Sequence, residues 1–225
     1  MIGPDELARQ VAEWMVASLA SAPGRPAVAL SGGSTPKRLY SLLATDAFAA
    51  KLPWDRVHWF FGDERFVPPD DPASNAHMTQ EALLHLAPPD HVHPIPTVGL
   101  APAASAAAYE RTLRDFHGDS LAEPLFHIVL LGLGSNGHTA SLFPDTPALA
   151  ERTAWAVPVT PPGEKTRITL TYPALESCRH AAFVVSGADK HDMVAEIRSG
   201  HSALPAARYR PAGELHWFVD DAASG

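Results

Sequence analysis

Three short segments carry residue types that can do chemistry together. The clearest reactive group lies in Gly132-Leu133-Gly134-Ser135-Asn136-Gly137-His138-Thr139, which follows the apolar run Ile128-Val129-Leu130-Leu131. Near neutral pH an imidazole accepts a proton from water and returns it later in the cycle, a contribution of about 10² to 10⁴ in rate. The chain has 12 histidines, and a histidine picked blindly is more often structural or exposed than catalytic. His138 is set apart by Gly132, Gly134 and Gly137, which let the backbone approach a ligand at a strand end. The second segment, Ser31-Gly32-Gly33-Ser34-Thr35-Pro36, follows Ala27-Val28-Ala29-Leu30. Two glycines permit a sharp turn, Thr35 is placed to cap the next helix, and Pro36 suits its first turn. Backbone N–H groups at such a turn favour an anion, commonly phosphate; a tight turn without ligand is the equal alternative. The spacing matches neither a dinucleotide fingerprint nor a Walker A loop, which disfavours NAD and ATP. The third segment, Gly62-Asp63-Glu64-Arg65, ends the apolar run Val57–Phe61. The Arg65 guanidinium can hold a phosphate bidentately, although charged residues at a strand end are by themselves more often solvated.

A scaffold must bring all three segments to one edge. Short apolar runs ending in glycine-rich or acidic turns alternate with amphipathic stretches, the pattern of a parallel sheet flanked by helices. The fold class is α/β: a Rossmann-like single domain spanning 1–225, with a mainly parallel sheet and helices on both faces. Strands are predicted near 27–30, 57–61, 126–131, 154–159, 181–185 and 216–219. Helices are predicted over 4–21, 36–45, 75–86, 103–117 and 189–199, with Ser74 as the cap of the third. In open α/β sheets the ligand crevice lies beyond the carboxyl ends of the strands, where the three segments would fall. Most of the 22 prolines punctuate loops.

Composition excludes several classes of partner. A formal charge of −8 argues against nucleic acid and anionic membranes, which require a basic face. With 46% hydrophobic residues, the 225-residue chain can bury one substantial core. Cys178, the single cysteine, can form no intrachain disulfide and suits a reducing compartment. Ala20, Ser21 and Ala22 superficially resemble a signal-peptidase site, but Asp5, Glu6, Arg9 and Glu13 precede them where a basic, then apolar, stretch is needed. No run approaches the length of a membrane span. A cytoplasmic protein, monomeric or a weak homo-oligomer, is expected. No His, Cys and carboxylate set shows zinc-ligand spacing, so catalysis without metal or other cofactor is expected.

Taken in order, Leu30 through Pro36, Phe61 through Arg65, Ser74-Asn75, Leu131 through Pro144, Arg167 through Thr171, and Gly187 with Lys190 resemble the 6-phosphogluconolactonase family end to end. The resemblance implies hydrolysis of 6-phosphoglucono-1,5-lactone in the oxidative pentose phosphate pathway. It implies a phosphate site built from Ser31, Gly32, Gly33, Ser34 and Thr35 with Arg65, Arg167 and Lys190. Gly134, Asn136 and Gly137 would lie against the substrate, His138 would face the lactone carbonyl as general base, and Asp63 would orient His138 or the sugar hydroxyls. The related glucosamine-6-phosphate deaminases share the first loop but carry Asn-Glu-Pro after the histidine. Here the chain reads Ser141-Leu142-Phe143-Pro144, which favours the lactonase over a deaminase; a non-catalytic sugar-phosphate sensor is disfavoured because no DNA-binding helix pair or extra domain is apparent. Asn136 stands where the family commonly has aspartate, so charge support for His138 from that position is expected to be weaker.

Overall fold

The computed structural model describes residues 1–118 and 123–225. Its central sheet contains β1 (Ala27–Leu30), β2 (His58–Phe61), β4 (Phe126–Leu131), β7 (Cys178–Val185) and β8 (Glu214–Val219), in the order β2-β1-β4-β7-β8 and parallel throughout. A second, antiparallel sheet has the order β3-β6-β5, from β3 (Asp63–Arg65), β5 (Ala156–Val159) and β6 (Arg167–Leu170). All four residues of β1 are buried. Successive side chains point to opposite faces, so both faces of this strand are covered.

The predicted strand over 154–159 exists as β5, but it belongs to the small sheet. β3 and β6 were not predicted; three and four residues of mixed polarity give too short a period to read. The first helix, α1 (Pro4–Ser21), follows the expected bounds and buries Leu7, Val11, Met15 and Leu19. The next, α2 (Ser34–Leu43), starts two residues before the predicted 36, with Gly33 rather than Thr35 at the cap and no capping side chain among the described residues. Gly33 takes φ 109° there, a conformation that β-carbon-bearing residues rarely adopt. After α3 (Asp46–Ala49), α4 (Asn75–Ala82) is capped by Ser74, whose side chain accepts from the His77 N–H. Then follow α5 (Pro102–His117), α6 (Tyr172–Leu175) and α7 (His191–Arg198).

Two buried tyrosines fix the ends of adjacent strands where the chain leaves the sheet. The Tyr40 hydroxyl accepts from the Ser31 N–H (3.0 Å) and donates to the Ser31 carbonyl (2.8 Å). Tyr109 treats Phe61 identically, at 2.8 and 2.9 Å. Each hydroxyl replaces one ladder partner on each side, so the chain departs from β1 and β2 in a fixed direction. Burial pushes both phenols well above their ordinary range.

Candidate active site

The small sheet presents charged side chains to the carboxyl end of the large one. Asp63 pairs with Thr169 and Arg65 with Arg167 across antiparallel strands. Directly opposed residues share a face, as do residues two apart, so Asp63, Arg65, Arg167 and Thr169 face one way and Glu64 the other. The buried Glu64 carboxylate accepts from the backbone N–H groups of Arg65, Asn75 and Ala76, each at 2.7 Å, and from Ser74 Oγ at 2.9 Å. Burial nevertheless leaves its carboxyl above the usual range. These bonds lock the start of α4 to β3 and thereby place Asn75. Its Nδ2 donates to Asp63 O (2.9 Å) and Oδ1 (3.3 Å), and its Oδ1 accepts from Arg65 Nη1 (3.0 Å). A β-carbon on Gly32 would lie 1.9 Å from that Oδ1, so this glycine is required by Asn75 rather than by a turn.

His138 is carried by a closed loop. Gly134 N donates to His138 O at 2.8 Å, Gly137 N to Gly134 O at 3.0 Å, and Thr139 Oγ1 to Gly132 O at 2.9 Å. The imidazole stacks on Phe143 with centroids 4.2 Å apart, and Nδ1 lies 2.5 Å from Asn136 Oδ1. An amide oxygen only accepts, so this contact requires the proton on Nδ1 and leaves the Nε2 lone pair free. Asn136 thus supplies orientation without charge. A β-carbon on Gly134 would sit 2.0 Å from the same Nδ1, and one on Gly137, at φ 74°, would sit 2.7 Å from Leu204. Ala140 takes φ 47° beside the histidine, a local strain of the kind that collects at functional sites. Desolvation holds the His138 pKa below its ordinary value; Arg167 and Lys190 add to this and Asp63 opposes it.

Asp63 makes no hydrogen bond to His138 among the described residues. Its Oδ2 accepts from Ser141 Oγ and lies 4.0 Å from Arg167 Nη1. Arg167 also pairs with Glu164 and sits 5.2 Å above the Phe143 ring that supports His138. One lobe of the resulting cleft is lined by Ser31, Gly32, Asp63, Arg65, Asn75, Gly134, His138 and Arg167 among others. A second lobe, sharing Gly32, Gly132 and Leu133, is lined by Gly33, Ser34, Thr35, Ser186 and Lys190. The expected phosphate group of residues is therefore divided: Arg65 and Arg167 stand with His138, and Lys190 stands with the first-turn amides of α2. Asn136 reaches the cleft through His138, while Gly137 packs against Leu204. Lys190 is held by a turn in which buried Asp220 accepts from Ser186 Oγ (2.6 Å) and Gly187 N (3.1 Å). Ser31 Oγ, Arg65 Nε and Arg167 Nε are buried without hydrogen-bond partners among the described residues. Three such polar atoms in one lobe suit a ligand rich in oxygen.

Sequence reasoning assigned no role to Asn75, Ser141, Phe143 or Asp220. Their contacts cross between distant segments, and nothing local to each residue announces them.

Residues 3–217 match the model of the family described as glucosamine-6-phosphate isomerases/6-phosphogluconolactonase. The chain is 44% identical over 206 residues to a 6-phosphogluconolactonase of Nostoc sp., covering 89% of this chain and 84% of that one. It is 38% identical over 230 residues to the human 6-phosphogluconolactonase, with 97% and 87% covered. The solved 6-phosphogluconolactonase of Trypanosoma cruzi superposes with a TM-score of 0.88 at 30% identity, covering 99% and 93% of the two chains. A monomeric glucosamine-6-phosphate deaminase shares the fold (TM-score 0.84) at 18% identity, with 98% and 95% covered. By sequence over nearly its whole length, this chain belongs to the glucosamine-6-phosphate isomerase/6-phosphogluconolactonase family.

Proposed function

We propose that this chain hydrolyses 6-phosphoglucono-1,5-lactone to 6-phosphogluconate, with His138 as general base on the attacking water. The observation that carries this reading is an imidazole with a free Nε2 beside unpartnered guanidinium nitrogens, one lobe away from an uncapped helix N-terminus and Lys190. The phosphate dianion binds the first-turn amides of α2 and Lys190. The lactone lies in the adjoining lobe. His138 Nε2 takes a proton from water as the oxygen attacks C1, and Arg65 and Arg167 stabilise the developing oxyanion. Collapse breaks the bond from C1 to the ring oxygen, which receives the proton back from the imidazolium. Asp63 acts through space on that imidazolium and accepts from sugar hydroxyls. An ester carbonyl is electrophilic enough for an oriented water and a base to suffice.

The deaminase reading is less favoured because the segment after His138 is committed elsewhere: Ser141 to Asp63 and Phe143 to the imidazole. A coupled assay on freshly generated lactone, corrected for spontaneous hydrolysis, is expected to show turnover, with no ammonia released from glucosamine 6-phosphate. Ammonia release would make the chain a deaminase, and tight sugar-phosphate binding without turnover would make it a sensor. No helix among the described residues is long and apolar enough to cross a membrane, and a cytoplasmic setting is part of this proposal.

Two predictions arise from the histidine's surroundings. Only the neutral imidazole can accept the proton, so activity falls as pH drops through the His138 pKa. Because that pKa is lowered in the fold, the acid limb of kcat/KM is expected at a midpoint below about 6.5. Asn136→Asp places a carboxylate beside Nδ1, favours the imidazolium and should move the limb to higher pH. An unmoved limb would detach it from His138. Separately, Gly134→Ala puts a methyl where the imidazole lies and should lower kcat at least about tenfold, since displacements near 1 Å are costly. A wild-type kcat with an unchanged circular dichroism spectrum would show that the ring's position does not matter.

A further inference from the structure

At the opposite edge of the sheet, the register of β7 and β8 assembles a ligand set that linear spacing does not reveal. His180 pairs with Glu214, and His216 follows Glu214 by two residues on the same face. His180 Nδ1 and His216 Nε2 each lie 3.4 Å from the same oxygen, Glu214 Oε2. Both nitrogens are buried and lack a hydrogen-bond partner among the described residues, and 3.4 Å is too long for a good N–H···O bond. The distance matches the edge of a coordination tetrahedron, in which bonds of about 2.0 to 2.1 Å place neighbouring ligand atoms about 3.3 to 3.4 Å apart. All three donor atoms lie within 4.8 Å of one another.

We propose that His180, Glu214 and His216 bind one borderline divalent cation of the Zn(II) class, which ties edge strand β8 to β7. Two imidazoles and one carboxylate suit Zn(II) and its first-row neighbours better than Ca(II) or Mg(II). The scaffold is prepared for it. A β-carbon on Gly213 would lie 2.0 Å from Arg179 O, so the close approach of the two strands just before Glu214 is fixed by a glycine. Trp14 of α1 packs on His216 at 5.0 Å and on His180 at 6.3 Å, restricting both rings. The neighbouring Arg179 is paired with Glu123, which offsets its repulsion of a cation. His180 and Glu214 line an open surface groove with Ser177 and Gly213, giving the ion an entry path. His127 is engaged through Nε2 with Ser18 at 3.0 Å and is not part of the set. The site lies at the amino ends of the strands, whereas the cleft lies at their carboxyl ends, so the ion acts on stability and not on turnover.

The test uses the whole chain after chelation and dialysis, titrated with zinc chloride by calorimetry. One equivalent should bind with a dissociation constant at or below about 10 μM, and Tm should rise with added Zn(II). Co(II) substitution should give the visible absorption bands of a tetrahedral nitrogen–oxygen site. His180→Ala, His216→Ala and Glu214→Gln should each remove this equivalent and the Tm rise while leaving kcat unchanged; Glu214 is exposed, so its variant keeps the fold. No binding at about 100 μM zinc would overturn the proposal. So would undiminished stoichiometry in the three variants, which would move the ion to other histidines such as His58, His91 and His93.

Discussion

Replacing His138 by alanine is expected to lower kcat by about 10² to 10⁴ while leaving 6-phosphogluconate affinity within about threefold of wild type. The asymmetry follows from placement. In the proposed mechanism the imidazole acts on water and the ring oxygen, whereas affinity would reside in the α2 amides, Lys190 and the two arginines. The ring also packs on Phe143, so its loss leaves a small cavity at the cleft surface and little change in the buried core. Steady-state kinetics and product titration on the same preparation check both halves. A variant that keeps more than about half of the wild-type kcat would remove His138 from the mechanism.

The second large effect concerns the phosphate. Glucono-1,5-lactone should show kcat/KM at least about 10² below that of the phosphorylated lactone, about 2.7 kcal/mol of transition-state stabilisation. In the proposed mechanism remote binding energy holds the carbonyl against His138, so its loss would cost orientation as well as affinity. The two-lobed cleft refines which variant reports this. Lys190 stands with the first-turn amides of α2 and Arg65 with the histidine. Lys190→Ala should therefore harm the phosphorylated substrate alone, while Arg65→Ala should harm both lactones in similar proportion. Equal kcat/KM for the two lactones in the wild type, or equal losses for both in Lys190→Ala, would mean that the phosphate lies elsewhere.

What could be read from the sequence was local or periodic. The inner parallel strands announce themselves because a strand buried on both faces is nearly all apolar, as Ala27–Leu30 is and Phe126–Leu131 is apart from His127, whereas the edge strand Glu214–Val219 has no buried residue. Ser74 was legible as a cap because a serine before an amphipathic run has few other uses. The start of α2 was misplaced because Thr35 and Pro36 carry the usual signals of a helix start, and the glycine before them overrode both. What escaped depends on register. The opposition of Arg65 to Arg167 and the meeting of His180, Glu214 and His216 arise only when strands far apart in the chain align. The site glycines illustrate the same limit. Gly32 and Gly134 were read as ligand-approach positions and both line the cleft, but the contacts a β-carbon there would make with Asn75 and His138 could not be read from the sequence.

The most direct test is a pH-stat trace of lactone opening by the wild-type chain, since each hydrolysed lactone releases one proton from the new carboxylic acid near neutral pH. With freshly generated 6-phosphoglucono-1,5-lactone and catalytic amounts of protein, proton release should exceed the spontaneous rate in direct proportion to enzyme concentration. A trace that coincides with the enzyme-free control at every concentration would contradict the assignment of lactone hydrolysis to this cleft.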